Sequence, residues 1–449
     1  MTYVPIHQGR IWSLTNDQEI ALKKVWGILL KHCGYPINIS IESIEKGDQL
    51  VASITDVRSI GDPESIGSRS KETSTMESHS STLTHTSISS NVRSVYYVLE
   101  TGGCDNDDDD IFSLYQSEGY SMLKKYAPEI LHKSLWASGR NDNTDNYLLR
   151  FLRISKFNYK SSLSWIAHIL DWRHAKYNVE DILFKGDAHI FFESKSPNLV
   201  DVFRRNEMYV RGVARSGSPL IIFRGAKHKR GRCTDAQFEK VILLCIEWAR
   251  LGFSEYKQGV DQFHVIIDLT GFTMKHADFH GVKFGIRAFQ KYFPDSLERL
   301  QIHNAPRVFS AMWKILEHWM KPHLRERISF TKSIGELTKY IDPKYIPADI
   351  GGAEQHPPAY IEPTFFNCQR KTPDEAFYSL TKERDELTVK FIESTIKWIE
   401  ATTSEESKMH LINKIEISRA RAINYINLDP YLRTRGIPDR NGEVAIISY

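Results

Sequence analysis

The chain has 449 residues and a formal net charge of +3, with 41% hydrophobic and 26% charged residues. That length suits one large domain with appendages, or about two to three ordinary domains, and the composition is that of a folded globular protein. The charge is too small to give a bulk electrostatic reason for nucleic-acid binding.

Five scattered cysteines (Cys33, Cys104, Cys233, Cys245, Cys368) form no Cys-x-x-Cys. An odd, unpatterned set argues against a disulfide framework or a zinc site. Met1 to Arg10 lacks an apolar signal core. No apolar run approaches the roughly 20 residues that cross a bilayer. The expected location is the cytoplasm, with peripheral contact at organelle membranes.

A helix is predicted over 14–33, within an N-terminal helical segment 1–52. Thr15 and Gln18 form a capping box, and Leu22, Val25, Trp26 and Leu29 share one face. Residues 53–110 read as a disordered linker. Its Ser/Thr-rich part, aromatic-free from Ser53 to Asn91, cannot bury enough apolar surface to offset its ordering entropy. The run Asp105–Asp110 reads as a solvated acidic stretch. A calcium loop would need Gly at Asp110 and Glu at Gln116.

Order is expected to return near Ile111, opening a helical module over 111–190. Leu148, Phe151 and Leu152 have helical spacing. Asn158 can cap a second helix whose inward face is Leu163, Ile166, Ala167 and Leu170, flanked by Trp165 and Trp172. From Gly217 the pattern becomes strand and helix in alternation, over a domain 200–355. The strands are Leu220–Phe223, Phe263–Leu269, Leu300–Asn304 and Ile328–Phe330. The helices are Ala236–Leu251, Asp278–Tyr292 and Arg307–Met320. This implies a mostly parallel sheet with right-handed crossovers. Helices return over 373–449, with Val389, Ile392, Ile396 and Ile399 on one face. The fold class is therefore α/β, with additional N- and C-terminal helices.

Catalytic signals are sparse. There is no Gly-x-Ser-x-Gly, no P-loop, no Gly-x-Gly-x-x-Gly and no His-Glu-x-x-His. His264 and His303 sit on core strands, where a lone histidine is ordinarily a hydrogen-bonded core residue. Asp268 ends a parallel strand, and Asp278 reads as a helix cap. The chain is expected not to be an enzyme and to hold no metal or cofactor. The basic loop Arg224–Arg232 reads as a solvated turn, or as a surface for anionic headgroups. The helix Val308–Met320 is apolar around much of its circumference, more than one buried stripe requires. It reads as a core helix, or as one facing an apolar ligand or membrane with its other side.

Several segments carry a resemblance to a known family. They are Leu148-Leu-Arg-Phe-Leu-Arg153 with Lys156-Phe157, Asp171-Trp-Arg173, Asp268-Leu269, Tyr292-Phe-Pro-Asp295, Asn304-Ala-Pro306 and the run from Tyr340-Ile-Asp-Pro343 to Ile350-Gly-Gly352. Over about half the chain, residues 145–355, this order resembles the CRAL-TRIO lipid-binding domain of fungal phosphatidylinositol-transfer proteins. The helix around Gln18 to Trp26 is similar to that of the long, oleate-linked fungal branch. The resemblance implies a helical tripod, then a sheet floor enclosing a deep lipid cavity, with a gate helix running from Trp313 to about Leu324.

It also implies a headgroup site at Asp295, Arg327 and Lys156, and cavity or gate positions at Phe223, Phe263, Val265, Trp313, Leu316, Met320 and Leu324. An acid follows Tyr-x-Pro in the family, and Asp295 stands there. Arg327 replaces a family Lys, Ser155 an Arg, and Leu324 a Thr. Phe263 and Val265 replace two hydroxyls that serve phosphatidylcholine. The function so implied is exchange of phosphatidylinositol between membranes, with poor phosphatidylcholine binding and lipid as cargo. Alternatives are a carrier of an isoprenoid or sterol precursor, or a lipid-sensing adaptor whose partner is a lipid kinase or a trafficking protein.

Overall fold

The computed structural model describes residues 8–53, 120–193, 197–355 and 359–442. The linker from residue 54, its acidic run and the expected return of order at Ile111 lie outside those residues.

Helix α1 (Asn16–His32) begins at the capping box: Thr15 Oγ1 accepts from the Gln18 N–H at 3.4 Å, and Gln18 Oε1 accepts from the Thr15 N–H at 3.0 Å. Leu22, Val25 and Leu29 are fully buried, each contributing about 1.5–3 kcal/mol relative to exposure. Helices α2 (Pro128–Ser138), α3 (Thr144–Ile154) and α4 (Tyr159–Asp171) follow. Asn143 caps α3 by accepting from the N–H groups of Asp145 and Asn146, and Asn158 caps α4 by accepting from that of Ser161. Helix α5 (Val179–Glu193) is broken at Gly186.

The sheet has five strands in the order β1–β5. They are β1 (Met208–Val213), β2 (Pro219–Arg224), β3 (Phe263–Asp268), β4 (Leu297–His303) and β5 (Ile328–Thr331). β1 is antiparallel to β2; the other pairs are parallel. β1 has no counterpart in the sequence reading. Arg211 and Gly212 interrupt its apolar run, and Gly212 takes a φ of +60° where the register shifts, so its periodicity is lost at an edge.

Strand order follows chain order, so crossovers of one hand place the connecting helices on one face. Those helices are α6 (Asp235–Leu251), α7 (Phe279–Arg287) and α8 (Phe309–Leu316). On the opposite face Leu220, Ile222 and Ile266 meet Leu337, Ile341 and Ile346.

Helices α9 (Glu375–Glu400) and α10 (Ser404–Leu432) form a hairpin that returns to α1. Phe391, Ile392, Thr395, Trp398 and Ile399 face inward, while Val389 is exposed and Ile396 half-buried. The inward stripe centres on Thr395, and Val389 falls roughly 120° from it at 3.6 residues per turn. This corrects the face read from the isoleucine spacing. Lys414 of α10 is buried against Trp398, 4.1 Å from its centroid, and ion-pairs with Asp145 at 2.8 Å. Trp26 Nε1 donates to the same carboxylate at 2.7 Å. One apolar cluster runs through α1, α3, α4, α6, β3, α8 and α9.

A second clasp joins the helical module to α6. Glu247 pairs with Arg140, with Arg173 at 2.8 Å and with Arg250 at 3.1 Å. Burial alone would raise its pKa; the arginines outweigh that and hold the carboxyl well below the usual range. Arg173 of the Asp-Trp-Arg segment is thus a structural residue.

Candidate functional site

Between the sheet and its helices lies a cavity of about 170 Å³. Side chains alternate along a strand, so one parity of each reaches it. Ile221 and Phe223 come from β2, Val265 and Ile267 from β3, Leu300 and Ile302 from β4. Phe238, Ile242 and Ile246 of α6 and Val282 and Ile286 of α7 form the facing wall, with Phe289 beyond them. Gly281 and Gly285 of α7 also border it, and a Cβ on Gly285 would meet nothing within 4 Å. Only His228, His276 and Asp278 bring ionisable groups to this wall.

The third wall is α8 and the segment after it. Phe309, Met312, Trp313, Leu316, Met320 and Leu324 line the cavity. The sequence-predicted residues Phe223, Val265, Trp313, Leu316, Met320 and Leu324 are therefore together. Phe263 is not with them. It is fully buried against Phe253, with ring centroids 4.8 Å apart, and behind Phe289 at 6.2 Å. It has the parity of Val265 but sits at the first position of β3, below the cavity floor.

The helical path over 307–320 is interrupted. After α8 a 3-10 turn spans Glu317–Trp319, Met320 is extended, and a short helix covers Pro322–Arg325. The outer side of this segment is mixed: Val308 is 40% exposed, Ile315 49% and the adjoining Phe330 47%, among the exposed Ser310 and His318. Phe330 touches Trp313 at a centroid distance of 4.8 Å. Arg307 and Lys314 are exposed beside them. A segment with apolar side chains on its inner side and some on its outer side thus forms this wall of the cavity.

The polar candidates gather at the N-terminal ends of β3 and β4. Asp295 accepts from Arg153 Nε at 2.5 Å, and Arg327 Nη2 stands 3.5 Å from its other oxygen. Gln262 donates to the Asp295 carbonyl at 2.9 Å. Lys156 is exposed and is not among the described partners of this pair. Lys156, Phe157 and Asp295 all take positive φ, +52°, +60° and +50°. Such conformations are uncommon outside glycine and cluster at functional sites. Nearby, His323 Nε2 and Ser155 Oγ are buried with no hydrogen-bond partner among the described residues, and His323 is electrostatically coupled to Asp295 and Arg327. Arg153 enters the sequence reading only within a family segment and Gln262 not at all, since their partner lies far along the chain and no local pattern marks it.

The basic loop is not simply solvated. Arg224 is buried between Asp268 and Asp349, at 2.6 Å from each. His228 bonds Glu207 and, at 3.1 Å, Asp278. Burial would lower its pKa; the bonds to Asp278 and Glu207 prevail and raise it to about 9. Asp278 also caps α7 by accepting from the Gly281 N–H at 3.0 Å. His264 bonds Gln301 at 2.9 Å, and His303 bonds Thr331 at 3.0 Å. Lys229 and Arg230 remain exposed.

A parallel-sheet floor, an apolar hollow and a segment closing it define the architecture, and the sequence comparisons agree with it. The sequence model of the CRAL/TRIO domain matches residues 204–352. Across 443 residues the chain is 30% identical to the phosphatidylinositol transfer protein CSR1 of Eremothecium gossypii, covering 98% of each. It is 27% identical to the CRAL-TRIO domain-containing protein C3H8.02 of Schizosaccharomyces pombe, covering 98% of this chain and 94% of that one. It is also similar to the crystal structure of Sfh5, at 15% identity and a TM-score of 0.41, over 63% of this chain and 100% of that one. The chain belongs to the CRAL-TRIO family.

Proposed function

We propose that this protein binds and transfers lipid, taking phosphatidylinositol from one membrane and releasing it at another. The observation that carries the reading is the apolar cavity, walled on one side by a segment that also exposes Val308 and Ile315 to solvent. Extracting a lipid exposes acyl chains to water at about 0.8 kcal/mol per methylene. A carrier therefore needs a hollow that replaces the bilayer, and no bond chemistry.

Results

Sequence analysis

The chain has 449 residues and a formal net charge of +3, with 41% hydrophobic and 26% charged residues. That length suits one large domain with appendages, or about two to three ordinary domains, and the composition is that of a folded globular protein. The charge is too small to give a bulk electrostatic reason for nucleic-acid binding.

Five scattered cysteines (Cys33, Cys104, Cys233, Cys245, Cys368) form no Cys-x-x-Cys. An odd, unpatterned set argues against a disulfide framework or a zinc site. Met1 to Arg10 lacks an apolar signal core. No apolar run approaches the roughly 20 residues that cross a bilayer. The expected location is the cytoplasm, with peripheral contact at organelle membranes.

A helix is predicted over 14–33, within an N-terminal helical segment 1–52. Thr15 and Gln18 form a capping box, and Leu22, Val25, Trp26 and Leu29 share one face. Residues 53–110 read as a disordered linker. Its Ser/Thr-rich part, aromatic-free from Ser53 to Asn91, cannot bury enough apolar surface to offset its ordering entropy. The run Asp105–Asp110 reads as a solvated acidic stretch. A calcium loop would need Gly at Asp110 and Glu at Gln116.

Order is expected to return near Ile111, opening a helical module over 111–190. Leu148, Phe151 and Leu152 have helical spacing. Asn158 can cap a second helix whose inward face is Leu163, Ile166, Ala167 and Leu170, flanked by Trp165 and Trp172. From Gly217 strands and helices alternate, within a domain 200–355. The strands are Leu220–Phe223, Phe263–Leu269, Leu300–Asn304 and Ile328–Phe330. The helices are Ala236–Leu251, Asp278–Tyr292 and Arg307–Met320. This implies a mostly parallel sheet with right-handed crossovers. Helices return over 373–449, with Val389, Ile392, Ile396 and Ile399 on one face. The fold class is therefore α/β, with additional N- and C-terminal helices.

Catalytic signals are sparse. There is no Gly-x-Ser-x-Gly, no P-loop, no Gly-x-Gly-x-x-Gly and no His-Glu-x-x-His. His264 and His303 sit on core strands, where a lone histidine is ordinarily a hydrogen-bonded core residue. Asp268 ends a parallel strand, and Asp278 reads as a helix cap. The chain is expected not to be an enzyme and to hold no metal or cofactor. The basic loop Arg224–Arg232 reads as a solvated turn, or as a surface for anionic headgroups. The helix Val308–Met320 is apolar around much of its circumference, more than one buried stripe requires. It reads as a core helix, or as one whose other side faces an apolar ligand or a membrane.

Several segments carry a resemblance to a known family. They are Leu148-Leu-Arg-Phe-Leu-Arg153 with Lys156-Phe157, Asp171-Trp-Arg173, Asp268-Leu269, Tyr292-Phe-Pro-Asp295, Asn304-Ala-Pro306, and the run from Tyr340-Ile-Asp-Pro343 to Ile350-Gly-Gly352. Over residues 145–355, roughly half the chain, this order resembles the CRAL-TRIO lipid-binding domain of fungal phosphatidylinositol-transfer proteins. The helix around Gln18 to Trp26 is similar to that of the long, oleate-linked fungal branch. The resemblance implies a helical tripod, then a sheet floor enclosing a deep lipid cavity, with a gate helix from Trp313 to about Leu324.

It also implies a headgroup site at Asp295, Arg327 and Lys156, and cavity or gate positions at Phe223, Phe263, Val265, Trp313, Leu316, Met320 and Leu324. An acid follows Tyr-x-Pro in the family, and Asp295 stands there. Arg327 replaces a family Lys, Ser155 an Arg, and Leu324 a Thr. Phe263 and Val265 replace two hydroxyls that serve phosphatidylcholine. The function so implied is exchange of phosphatidylinositol between membranes, with poor phosphatidylcholine binding and lipid as cargo. Alternatives are a carrier of an isoprenoid or sterol precursor, or a lipid-sensing adaptor whose partner is a lipid kinase or a trafficking protein.

Overall fold

The computed structural model describes residues 8–53, 120–193, 197–355 and 359–442. The linker from residue 54, its acidic run and the expected return of order at Ile111 lie outside those residues.

Helix α1 (Asn16–His32) begins at the capping box: Thr15 Oγ1 accepts from the Gln18 N–H at 3.4 Å, and Gln18 Oε1 accepts from the Thr15 N–H at 3.0 Å. Leu22, Val25 and Leu29 are buried, each contributing about 1.5–3 kcal/mol relative to exposure. Helices α2 (Pro128–Ser138), α3 (Thr144–Ile154) and α4 (Tyr159–Asp171) follow. Asn143 caps α3 by accepting from the N–H groups of Asp145 and Asn146, and Asn158 caps α4 by accepting from that of Ser161. Helix α5 (Val179–Glu193) is broken at Gly186.

The sheet has five strands in the order β1–β5. They are β1 (Met208–Val213), β2 (Pro219–Arg224), β3 (Phe263–Asp268), β4 (Leu297–His303) and β5 (Ile328–Thr331). β1 is antiparallel to β2; the other pairs are parallel. β1 has no counterpart in the sequence reading. Arg211 and Gly212 interrupt its apolar run, and Gly212 takes a φ of +60° where the register shifts, so its periodicity is lost at an edge.

Strand order follows chain order, so crossovers of one hand place the connecting helices on one face. Those helices are α6 (Asp235–Leu251), α7 (Phe279–Arg287) and α8 (Phe309–Leu316). On the opposite face Leu220, Ile222 and Ile266 meet Leu337, Ile341 and Ile346.

Helices α9 (Glu375–Glu400) and α10 (Ser404–Leu432) form a hairpin that returns to α1. Phe391, Ile392, Thr395, Trp398 and Ile399 face inward, while Val389 is exposed and Ile396 half-buried. The inward stripe centres on Thr395, and Val389 falls roughly 120° from it at 3.6 residues per turn. This corrects the face read from the isoleucine spacing. Lys414 of α10 is buried 4.1 Å from the Trp398 ring centroid and ion-pairs with Asp145 at 2.8 Å. Trp26 Nε1 donates to the same carboxylate at 2.7 Å. One apolar cluster runs through α1, α3, α4, α6, β3, α8 and α9.

A second clasp joins the helical module to α6. Glu247 pairs with Arg140, with Arg173 at 2.8 Å and with Arg250 at 3.1 Å. Burial alone would raise its pKa; the arginines outweigh that and hold the carboxyl well below the usual range. Arg173 of the Asp-Trp-Arg segment is thus a structural residue.

Candidate functional site

Between the sheet and its helices lies a cavity of about 170 Å³. Side chains alternate along a strand, so one parity of each reaches it. Ile221 and Phe223 come from β2, Val265 and Ile267 from β3, Leu300 and Ile302 from β4. Phe238, Ile242 and Ile246 of α6 and Val282 and Ile286 of α7 form the facing wall, with Phe289 beyond them. Gly285 of α7 also borders it, and a Cβ there would meet nothing within 4 Å. Among the lining residues only His228, His276 and Asp278 carry ionisable groups.

The third wall is α8 and the segment after it. Phe309, Met312, Trp313, Leu316, Met320 and Leu324 line the cavity. The sequence-predicted residues Phe223, Val265, Trp313, Leu316, Met320 and Leu324 are therefore together. Phe263 is not with them. It is buried against Phe253, with ring centroids 4.8 Å apart, and lies behind Phe289 at 6.2 Å. It has the parity of Val265 but sits at the first position of β3, beyond the cavity.

The helical path expected over 307–320 is interrupted. After α8 a 3-10 turn spans Glu317–Trp319, Met320 is extended, and a short helix covers Pro322–Arg325. The outer side of this segment is mixed: Val308 is 40% exposed, Ile315 49% and the adjoining Phe330 47%, among the exposed Ser310 and His318. Phe330 touches Trp313 at a centroid distance of 4.8 Å. Arg307 and Lys314 are exposed beside them. A segment with apolar side chains on its inner side and some on its outer side thus forms this wall of the cavity.

The polar candidates gather just before β3, β4 and β5. Asp295 accepts from Arg153 Nε at 2.5 Å, and Arg327 Nη2 stands 3.5 Å from its other oxygen. Gln262 donates to the Asp295 carbonyl at 2.9 Å. Lys156 is exposed and is not among the described partners of this pair. Lys156, Phe157 and Asp295 take φ values of +52°, +60° and +50°. Such conformations are uncommon outside glycine and cluster at functional sites. His323 Nε2 and Ser155 Oγ are buried with no hydrogen-bond partner among the described residues, and His323 is electrostatically coupled to Asp295 and Arg327. Arg153 enters the sequence reading only within a family segment and Gln262 not at all, because no local pattern marks a partner so far along the chain.

The basic loop is not simply solvated. Arg224 is buried between Asp268 and Asp349, at 2.6 Å from each. His228 bonds Glu207 and, at 3.1 Å, Asp278. Burial would lower its pKa; the bonds to Asp278 and Glu207 prevail and raise it to about 9. Asp278 also caps α7 by accepting from the Gly281 N–H at 3.0 Å. His264 bonds Gln301 at 2.9 Å, and His303 bonds Thr331 at 3.0 Å. Lys229 and Arg230 remain exposed.

A parallel-sheet floor, an apolar hollow and a segment closing it define the architecture. The sequence model of the CRAL/TRIO domain matches residues 204–352. Across 443 residues the chain is 30% identical to the phosphatidylinositol transfer protein CSR1 of Eremothecium gossypii, covering 98% of each. It is 27% identical to the CRAL-TRIO domain-containing protein C3H8.02 of Schizosaccharomyces pombe, covering 98% of this chain and 94% of that one. It is also similar to the crystal structure of Sfh5, at 15% identity and a TM-score of 0.41, over 63% of this chain and 100% of that one. The chain belongs to the CRAL-TRIO family.

Proposed function

We propose that this protein binds and transfers lipid, taking phosphatidylinositol from one membrane and releasing it at another. The observation that carries the reading is the apolar cavity, walled on one side by a segment that also exposes Val308 and Ile315 to solvent. Extracting a lipid exposes acyl chains to water at about 0.8 kcal/mol per methylene. A carrier therefore needs a hollow that replaces the bilayer, and no bond chemistry. Headgroup choice falls to the polar corner. Asp295 offers an acceptor for inositol hydroxyls, and Arg327 a two-point donor for the phosphodiester. The unpaired His323 Nε2 and Ser155 Oγ support a polar ligand here, since buried polar atoms seldom go unbonded. The 30% identity to a phosphatidylinositol transfer protein supports the same cargo.

The cavity of about 170 Å³ is smaller than the roughly 300–1,000 Å³ of ordinary small-ligand sites. A two-chain lipid therefore requires the segment 309–325 to swing outward, and that segment is the gate. Val308, Ile315 and Phe330 meet the bilayer, while Arg307 and Lys314 meet anionic headgroups. Among the described residues no helix is long and apolar enough to cross a membrane, and work from the cytoplasm at organelle membranes goes with this reading. A lipid kinase that consumes the delivered lipid is the fitting partner. Val265 brings methyls where phosphatidylcholine would need a hydroxyl, so that lipid binds poorly. The second reading, an isoprenoid or sterol-precursor carrier, draws on the same apolar positions Val265 and Leu324.

Vesicle transfer tests the choice. Arg327→Glu is expected to lower phosphatidylinositol transfer while uptake of a fluorescent fatty acid persists. Unchanged phosphatidylinositol transfer would reject the headgroup assignment.

A further inference from the structure

A strap at residues 8–12 crosses the polar corner. Gly9 takes a φ of +72°, and a Cβ on it would come 3.1 Å from Arg153 Cδ and 3.3 Å from the Phe157 ring. Its carbonyl accepts from Arg153 Nη1 at 3.1 Å. Arg10 is buried and grips Asp261 with two bonds, at 2.8 and 3.2 Å. Ile11 is buried, and its N–H donates to Asn146 Oδ1 at 2.8 Å. Arg153 Nη2 reaches Asp261 at 3.3 Å. Arg10, Asp261, Arg153, Asp295 and Arg327 thus alternate in sign from the strap to the surface. The link to Arg327 is the longest, at 3.5 Å.

We propose that this strap is a working part of the headgroup site: Arg10, acting through Asp261, is a positioning residue that fixes Arg153 and thereby Asp295. The inference rests on the phosphatidylinositol reading. A phosphodiester that draws Arg327 away leaves Asp295 a largely buried carboxylate, which is costly without a counter-charge. Arg153 supplies that charge, and its Nε, Nη1 and Nη2 are all engaged, so the carboxylate stays paired and aimed. Without Arg10, Asp261 draws Arg153 to itself and Asp295 loses its orientation.

The test compares Arg10→Gln, Arg10→Lys and Asp295→Asn in the full chain. One readout is transfer of phosphatidylinositol between phosphatidylcholine vesicles; the other is uptake of a fluorescent fatty acid, which needs the cavity but no inositol contact. Arg10→Gln is expected to lower phosphatidylinositol transfer about tenfold with fatty-acid uptake retained, the scale of one charge-assisted bond. Arg10→Lys should recover part of it, keeping the charge without the two-point grip. If Asp295→Asn is defective and Arg10→Gln is not, the strap has no such role. Proportional loss of both readouts in Arg10→Gln would make it a folding residue only. Normal transfer by Asp295→Asn would instead overturn the headgroup reading beneath.

Discussion

Gln290 bridges the break in the helical path after α8 and holds Lys321: its Nε2 donates to the Trp319 carbonyl at 3.0 Å, and its Oε1 accepts from the Lys321 N–H. Gln290 is buried in a π-turn, Ala288–Tyr292, that directly follows α7. The same turn stacks Tyr292 on Trp172 at 3.8 Å and gives the Lys291 carbonyl to Trp165 Nε1 at 3.0 Å. The segment after α8 is thus tied through Gln290 to the turn that meets the helical module, and Trp319 also packs edge-on against Phe279. Outward movement breaks two bonds of about 0.5–1.5 kcal/mol each. Gln290→Ala should speed lipid exchange between vesicles by about tenfold, measured by stopped-flow fluorescence, with the melting temperature lowered by about a few degrees. Exchange at the parent rate would remove the latch.

Ile315 faces outward on α8 at 49% exposure, which gives the membrane contact a separate handle. Burying such a side chain contributes about 1.5–3 kcal/mol, so Ile315→Asp should weaken sedimentation with anionic liposomes by about tenfold or more. Circular dichroism should be unchanged. Equal liposome binding would place the docking surface elsewhere.

Gly285 lets loading be separated from folding. A side chain there enters open space in the cavity wall, and replacing a helical glycine stabilises by about 0.5–1 kcal/mol. Gly285→Leu should therefore raise the denaturation midpoint while reducing the lipid carried per protein. A variant both stabilised and fully loaded would mean that lipid does not occupy this hollow.

The His228 cluster makes stability fall in alkaline solution. Its folded pKa is raised to about 9 from an ordinary 6.5, so its contribution is complete below pH 6.5 and lost as pH rises through about 9. The difference in melting temperature between the parent and His228→Gln should shrink across that window. A constant difference from pH 6 to pH 10 would contradict the pairing with Glu207 and Asp278.

How far the sequence reveals this depends on whether the signal is local. Thr15 and Gln18 announce α1 because a capping box is written within four residues. The parallel strands announce themselves because both faces are buried, leaving short apolar runs such as Leu220–Phe223. β1 stays hidden because Arg211 and Gly212 break its pattern. The family resemblance singles out Asp295 and Arg327; it assigns no role to Arg153, Asp261 or Gln290, because each acts on a partner across the fold. Phe263 shows the limit of strand parity, which fixes a face and not a depth. Ile267 and Ile302 could have been found by that same parity, as neighbours two residues from Val265 and Leu300.

The central claim is that the hollow behind α8 holds the tails of a phosphatidylinositol molecule. Mass spectrometry of lipids extracted from the purified protein tests it most directly, with a Gly285→Leu sample beside it. Phosphatidylinositol is expected as the main species, sharply reduced in the variant. Neutral lipids alone, or phosphatidylinositol recovered equally from both samples, would contradict it.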